Sequence, residues 1–300
     1  MPQLSDNLRG AFLMVGAMCG YTINDAFMKS AAADVPLFQA ILIRGIGAVI
    51  CLTIMCRLLG QLRFDLPRKD WSLIVLRGLC EVGGTYFFLT ALLNMPIANI
   101  TAILQVLPLS VSLAAALLLG AALGWRRLLA IMVGFLGVLM VIQPGGTDFN
   151  GYSIYALIAV ACVTLRDIVV RQMSADVPPV LVALVAAVGV TLLGAVGSAF
   201  TSFVPLTVAA GLKLMGAMTC LIFGYIFSVT AMKHGDISFV APFRYTSLLV
   251  ALIIGFFIFD ELPNVLALCG AAIVIATGLF TLYREAKLRV RHKGVPDRIR

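Results

Sequence analysis

Long apolar stretches recur along the chain, separated by short polar joints, and few of them carry the one-sided stripe of a surface helix. Ala114–Gly120 and Ile131–Ile142 are apolar all round, so a helix there buries every face in lipid or protein. A crossing helix needs about 20 such residues, and hydrocarbon holds no water to satisfy a free backbone. The pattern predicts ten transmembrane helices, at 10–30, 37–57, 71–93, 97–119, 124–143, 151–172, 178–200, 207–232, 236–258 and 263–283. Breakers mark the joints: Asp34-Val35-Pro36, Asn94-Met95-Pro96, Pro144-Gly145-Gly146, Asp176-Val177-Pro178-Pro179, His234-Gly235 and Glu261-Leu262-Pro263. The expected fold class is therefore an all-α integral membrane protein whose short loops leave no room for a soluble domain.

A repeat organises the ten helices. Asn24–Pro36 reads NDAFMKSAAADVP and Arg166–Pro178 reads RDIVVRQMSADVP. A shift of 142 residues superposes Asp25 on Asp167, Lys29 on Arg171, Ala33 on Ala175, Asp34 on Asp176, Val35 on Val177 and Pro36 on Pro178. Five crossings is an odd number, so the second copy starts from the opposite side, giving two inverted five-helix repeats. Such an architecture places a solute site near the midplane and permits alternating access by rocking one half against the other. The expected division is 1–9 as an N-terminal segment, 10–143 as the first repeat, 151–283 as the second and 284–300 as a basic tail.

Composition agrees with the pattern: 61% of residues are apolar and 12% charged, against roughly 25% charged in a soluble domain, and mean hydropathy is +1.05. The formal charge of +8 does not point to nucleic acid, because seven of the cations lie in Arg284–Arg300, a tail suited to an anionic leaflet. With the N-terminus on a side termed A, threading ten helices places Arg9, Arg57, Arg63, Arg68, Lys69, Arg126, Arg127, Arg171, Lys233 and the tail on side A. Lys213 is the clear exception on side B. The bias puts side A and both termini in the cytoplasm. The first apolar stretch contains Asp25 and Lys29 and no small-x-small cleavage site, so it reads as a true span and not a removable signal. Seven cysteines lie in apolar runs without metal or CxxC spacing, so no metal, cofactor or disulfide framework is expected.

Charges inside the predicted spans are the candidate chemistry. Each costs about 2.5–3.5 kcal/mol at the bilayer centre, so each must face a partner or a wet cavity. Asp25 with Lys29, Arg77 with Glu81 and Asp167 with Arg171 stand one turn apart, and for them a structural ion pair and contact with solute are both open. Arg44, Arg166 and Arg244 have no acid one turn away. They either pair across helices with Asp25, Glu81 or Asp167, or line a cavity that fixes a polar group. Lys29, Arg44, Arg77, Arg166 and Arg244 outnumber Asp25, Glu81 and Asp167, an excess that disfavours a pump for lipophilic cations and suits neutral polar or partly anionic solutes. Tyr86, Phe87, Phe88, Tyr225, Phe227, Phe243 and Tyr245 are either packing or a stacking surface for a planar ring. Gln105 and Pro108 interrupt the fourth span, where a proline frees a carbonyl and kinks the helix, and Asn24 can add hydrogen bonds. The candidate substrate-binding set is Asn24, Asp25, Arg44, Arg77, Glu81, Tyr86, Gln105, Arg166, Asp167, Arg244 and Tyr245.

From Gly10 to Tyr283 the chain resembles the ten-helix branch of the drug/metabolite transporter superfamily with paired EamA-like domains. The resemblance rests on NDAFMKS in span one, Arg44-Gly45 in span two, LRGLCEVGGTYFF (Leu76–Phe88) in span three, Trp125–Ile142, APFRY (Ala241–Tyr245) and FDELP (Phe259–Pro263). Members of that family often carry an acid at the end of span four, matching Asp260-Glu261 after span nine; here that stretch, Gly120-Ala-Ala-Leu-Gly124, has none. The resemblance implies secondary transport of a small-molecule substrate across the cell's inner membrane, with the lipid bilayer as surroundings and no nucleic-acid partner. It is similar in look to riboflavin and S-adenosylmethionine uptake carriers. The positive cavity and the aromatic supply lean toward riboflavin, with S-adenosylmethionine or another amino-acid-like metabolite, moved in either direction, as the alternative. A membrane-embedded enzyme is a remote alternative: the only histidines are His234 and His292, and no HExxH, GxSxG or phosphate-binding loop is present. No oligomeric state is read from the sequence.

Overall fold

The structure, a computed structural model, describes residues 4–120, 124–145, 149–174, 176–234 and 237–293. Ala175 of the repeat, Gly146 and Gly235 of the joints, residues 121–123 of the stretch lacking an acid and residues 294–300 of the basic tail lie outside them. The described residues contain no strand.

The helices are α1 (Leu4–Ala31), α2 (Leu37–Leu58), α3 (Arg68–Asn94), α4 (Ile97–Leu104), α5 (Leu107–Leu119), α6 (Trp125–Ile142), α7 (Tyr152–Val170), α8 (Pro179–Ala199), α9 (Val208–His234), α10 (Ile237–Val240), α11 (Thr246–Phe259) and α12 (Val265–Lys293). Among the described residues they make ten spans long and apolar enough to cross a membrane. Prolines open several of them: Pro36, Pro67, Pro96 and Pro178 each precede a helix, where the missing N–H breaks no intrahelical bond.

Two spans are broken. Span four is α4 followed by α5, and the break falls at Gln105 and Val106, not at Pro108. Pro108 instead sits in the first turn of α5, the position a helix tolerates. Span nine consists of α10, a 3-10 turn over Ala241–Tyr245, and α11. The last span runs beyond its expected end at residue 283, continuing as helix to Lys293.

Helix pairing follows the repeat. The pairs are α1 with α9, α2 with α8, α3 with α7, α4 with α11 and α6 with α12. Counted as spans these are one with eight, two with seven, three with six, four with nine and five with ten. Exchanging the first five spans for the last five maps the set onto itself. Gln105 Nε2 donates to Ser247 Oγ at 2.9 Å, and the two residues are 142 positions apart, the repeat offset. A residue bonded to its own repeat mate marks where the axis relating the halves passes. The halves thus pair span for span, as expected of two inverted repeats, with the two broken spans at the axis.

Close approach depends on small residues, as expected where lipid supplies no hydrophobic drive between helices. At the α6–α12 crossing, a Cβ on Gly137 would lie 2.8 Å from the Gly270 carbonyl oxygen, and a Cβ on Gly270 would strike the Gly137 carbonyl. Large exposed apolar side chains such as Ile54, Leu136, Leu192 and Phe257 cover the outside, the inverse of a water-facing surface.

Spans four and nine end in the same backbone turn. Gly120 closes α5 in the left-handed region at φ 65°, and Asp260 closes α11 there at φ 52°. Asp is among the few non-glycine residues that adopt this conformation routinely. The turn brings the Glu261 N–H back to the Gly255 carbonyl at 2.8 Å and sets the Glu261 side chain against α1 and α4.

Gly270→Leu forces α6 and α12 apart and costs about 1–3 kcal/mol, the usual range for overpacking. Thermal unfolding in detergent should show a lower Tm, and an unchanged Tm would mean the crossing is looser than described.

Candidate functional site

A cavity of about 910 Å³ lies between the halves, lined by α1, α2, α3, α7, α8, α9 and the 3-10 turn. Helical periodicity selects its walls. Tyr21 and Asp25 on α1, Arg44, Ala48, Leu52 and Met55 on α2, and Arg77, Glu81, Thr85 and Phe88 on α3 recur every three or four residues, one face of each helix. One part of its wall holds Asn24, Asp25, Arg44, Glu81 and Arg244. Another part reaches Ser174 and Pro179, both exposed, where α7 finishes and α8 begins on side A. The volume falls within the roughly 300–1,000 Å³ typical of small-molecule sites.

Eight of the eleven sequence-predicted residues meet on this cavity: Asn24, Asp25, Arg44, Arg77, Glu81, Arg166, Asp167 and Arg244. Two groups of charge form among them. In the first, Glu81 Oε2 lies 3.2 Å from Arg166 Nη1 and 3.4 Å from Arg77 Nη2, so one carboxylate serves guanidinium groups on α3 and α7. Arg166 Nη2 also lies 2.9 Å from Asp167 Oδ1, and Arg77 Nη1 donates to the Val182 carbonyl at 3.3 Å. Two cations and two anions balance.

The second group does not balance pair by pair. Arg44 Nη1 donates to Asn24 Oδ1 at 3.3 Å, and Asn24 Nδ2 donates to Asp25 Oδ1 at 2.9 Å. The Asn24 amide, 3% exposed, thus stands between a cation and an anion that form no ion pair. Arg244 projects from the 3-10 turn into the open cavity and pairs with no carboxylate among the described residues. Of the two readings open for the lone arginines, a cross-helix pair with an acid forms at Arg166, whereas Arg44 and Arg244 line the cavity without one.

Toward side B a further set of contacts joins the helices. Lys29 Nζ donates to Glu261 Oε1 at 2.6 Å and to the Met95 carbonyl at 2.7 Å, and it stands 5.3 Å from the centre of the Phe259 ring. Glu261 Oε2 also accepts from the Ile97 N–H at 3.0 Å, so one carboxylate ties α1 to the start of α4. Lys213 and Asp34 pair nearby at 2.7 Å. Of the three one-turn pairings that the sequence left open, only Arg77–Glu81 forms among the described residues. Lys29 leaves Asp25 for Glu261, which offers a carboxylate beside a carbonyl and a ring, and Asp167 pairs with its neighbour Arg166, leaving Arg171 exposed at the end of α7.

Tyr86, Gln105 and Tyr245 do not line the cavity. Tyr86 is one residue off the α3 lining face and stacks on Phe38 at 6.0 Å, with Phe87 edge-on at 5.2 Å. Gln105 is spent on Ser247 at the pseudo-two-fold axis. Tyr245 is 6% exposed, with its hydroxyl against Gly278. A 3-10 turn has three residues per turn, which sends neighbours such as Arg244 and Tyr245 in different directions. Among the described residues no group of three or more His, Cys, Asp or Glu could hold a metal.

The sequence pattern of the EamA-like transporter family matches residues 8–143 and again 151–283. The chain belongs to the EamA-like transporter family. It is a multi-pass membrane protein of that family, and transport of a small molecule is its activity class. This EamA-like transporter is 28% identical over 215 residues to the S-adenosylmethionine uptake transporter of Rickettsia bellii, covering 71% of this chain and 73% of that one. It is 23% identical to the pseudopaline exporter CntI of Pseudomonas aeruginosa, covering 89% and 93%. It is 25% identical to the riboflavin transporter of Vibrio cholerae, covering 96% and 97%. A solved crystal structure shares the fold at a TM-score of 0.61 and 16% identity, covering 96% of this chain and 100% of the other.

Some residues at the site were not among those selected from sequence. Tyr21 and Thr85 lie one turn from Asp25 and Glu81, so the helical period alone could have found them. Ser228 on α9 carries no such signal, because its helix has no buried charge to anchor the period. Glu261 was visible in the FDELP motif, but only tertiary structure assigns it to Lys29.

Replacing Glu81 removes the carboxylate that two guanidinium groups share. Glu81→Gln should destabilise the transporter by on the order of 3 kcal/mol, the scale for breaking a buried pair, and by more than Asp167→Asn, whose carboxylate serves one. Equal Tm losses in detergent for the two variants would contradict the shared arrangement.

Proposed function

We propose that this protein is a secondary uptake carrier for an amino-acid-derived metabolite with a free carboxylate and a cationic group, S-adenosylmethionine in the first place. One observation carries this reading: among the described residues a single cavity presents Arg44, Arg244 and Asp25 with no ion pair in direct contact, Arg44 and Asp25 acting on each other only across the Asn24 amide. Arginines that the protein leaves unanswered suit a substrate carboxylate, and Asp25 suits an ammonium or sulfonium. Repulsion of a sulfonium by buried cations is smaller than the sequence implied. Lys29 is spent on Glu261, and Arg77 and Arg166 are answered by Glu81 and Asp167. The name of the Rickettsia relative supports the same substrate and an inward direction.

Riboflavin is the second reading. Tyr21, Phe88 and Tyr225 on the cavity wall favour it, and so does the name of the Vibrio relative. The aromatic supply behind it is thinner than the sequence suggested, because Tyr86 and Phe87 stack on Phe38 and Tyr155 instead of facing the cavity.

In this reading the cavity is the transport site in its state open toward side A. Side A and both termini are cytoplasmic, in keeping with the Lys and Arg bias, and the protein sits in the inner membrane. The two halves rock about the broken spans to expose the site alternately.

Proteoliposomes should accumulate radiolabelled S-adenosylmethionine, with unlabelled riboflavin competing weakly. Arg44→Ala and Arg244→Ala should each cut uptake roughly ten- to a hundredfold with protein level retained, since a hydrogen bond to a charged group contributes about 1.5–3 kcal/mol. Strong competition by riboflavin and transport of it in place of S-adenosylmethionine would select the second reading. Uptake unchanged in both arginine variants would overturn the site. A reporter enzyme fused after Arg300 should read out in the cytoplasm.

A further inference from the structure

We propose that Lys29 is a working residue of the transport cycle, exchanging its carboxylate between Glu261 when side B is closed and Asp25 when side B is open. The inference rests on the reading of the cavity as the transport site.

Lys29 is held by groups that belong to two separate joints. Glu261 follows α11, and Met95 links α3 to α4. Opening side B separates these joints from α1 and withdraws both partners from the ammonium. A buried ammonium left alone costs several kcal/mol, so the open state needs another anion within reach. Asp25 is that anion. It stands one turn along α1, and its sole described hydrogen bond comes from the Asn24 amide. Side chains four apart on a helix lie about 5–6 Å apart at Cβ. Helical side chains also lean toward the N-terminus, which carries the Lys29 stem from side B down toward Asp25.

The exchange makes substrate arrival close the outer side. With the site empty and side B open, Lys29 occupies Asp25. A substrate cation entering from side B takes Asp25 and displaces the ammonium, which returns to Glu261 and Met95 and seals side B. The structure corresponds to the next state: Lys29 on Glu261, cavity reaching side A, and Asp25 with no cation in direct contact among the described residues, Arg44 being held off by the Asn24 amide. After release the empty carboxylate can recapture Lys29, and side B opens again. A static brace between α1 and the α11–α12 joint would need no acid at position 25.

The test reads side B opening without substrate. A single reporter, Met95→Cys, is placed in a background lacking the seven native cysteines. Met95 is 5% exposed, and its carbonyl is bound by Lys29. In right-side-out vesicles, an impermeant maleimide labels it when side B opens. Asp25→Asn should slow labelling about fivefold or more, because the open state loses its anion; a fivefold change corresponds to roughly 1 kcal/mol. Glu261→Gln should speed labelling by a similar factor, because the closed state loses its own, and Asp25→Glu should label near the parent rate. In a Lys29→Met background, Asp25→Asn should change labelling by less than about twofold. Equal labelling of the parent and the Asp25→Asn variant, or the same slowing with and without Lys29, would overturn the exchange and leave Lys29 a fixed brace. These rates are measured without substrate, so a failure of the S-adenosylmethionine reading appears in uptake alone and is told apart from a failure here.

Discussion

A charge within a bilayer must be answered by another charge, a dipole or water, and the arrangement of the spans follows from how each arginine is answered. Glu81 answers Arg77 and Arg166 together, which holds α3 and α7 in register at the wall between the halves. Arg44 receives only an amide oxygen, and Arg244 receives no carboxylate among the described residues. Such groups can persist only beside a space that admits water or a ligand. The cavity is thus a requirement of the charges as much as a gap left by packing. The glycine crossing of α6 with α12 and the apolar outer faces confine that space to the seam between the halves.

The breaks in spans four and nine serve the same seam. A continuous helix keeps all its polar backbone groups to itself, whereas the turn at Gln105 and Val106 and the 3-10 turn at Ala241–Tyr245 bring side chains and loosened backbone to mid-depth. In the second half that turn delivers Arg244 to the cavity. In the first half Gln105 turns instead to Ser247, its repeat mate, and pins the two breaks together at the axis. The repeat therefore supplies the same backbone device twice, and the side chains divide its uses between lining the cavity and joining the two halves.

Hydropathy made the ten spans legible because each crossing is a long uninterrupted apolar run, and the 142-residue offset was legible because charged residues and prolines repeat with it. Seven of the eight predicted residues on the cavity wall are charged, and their place there was legible for a simple reason: a charge inside a span has to face the seam, and Arg44, Glu81 and Arg166 had no other place to go. Tyr86 and Tyr245 were not, since aromatics are equally at home packed in an apolar interior. Which acid each cation takes was also hidden. The one-turn spacing of Asp25 and Lys29 is a local signal, and Glu261, 232 residues away, outcompetes it only once α11 has closed in its left-handed turn.

That turn also separates the two sides of the molecule. Gly120 and Asp260 close corresponding spans with the same backbone geometry, but the residue after Asp260 is an acid, whereas no acid occurs in Gly120–Gly124. On side B the acid meets Lys29. On side A the repeat mate of Lys29, Arg171, is exposed and has no acid to meet in the corresponding stretch. Two halves with equal latches would have little reason to favour one direction of opening. In the proposed cycle, a charged latch on side B alone would favour the state sealed there and open toward side A. The cavity reaching Ser174 and Pro179 has that form.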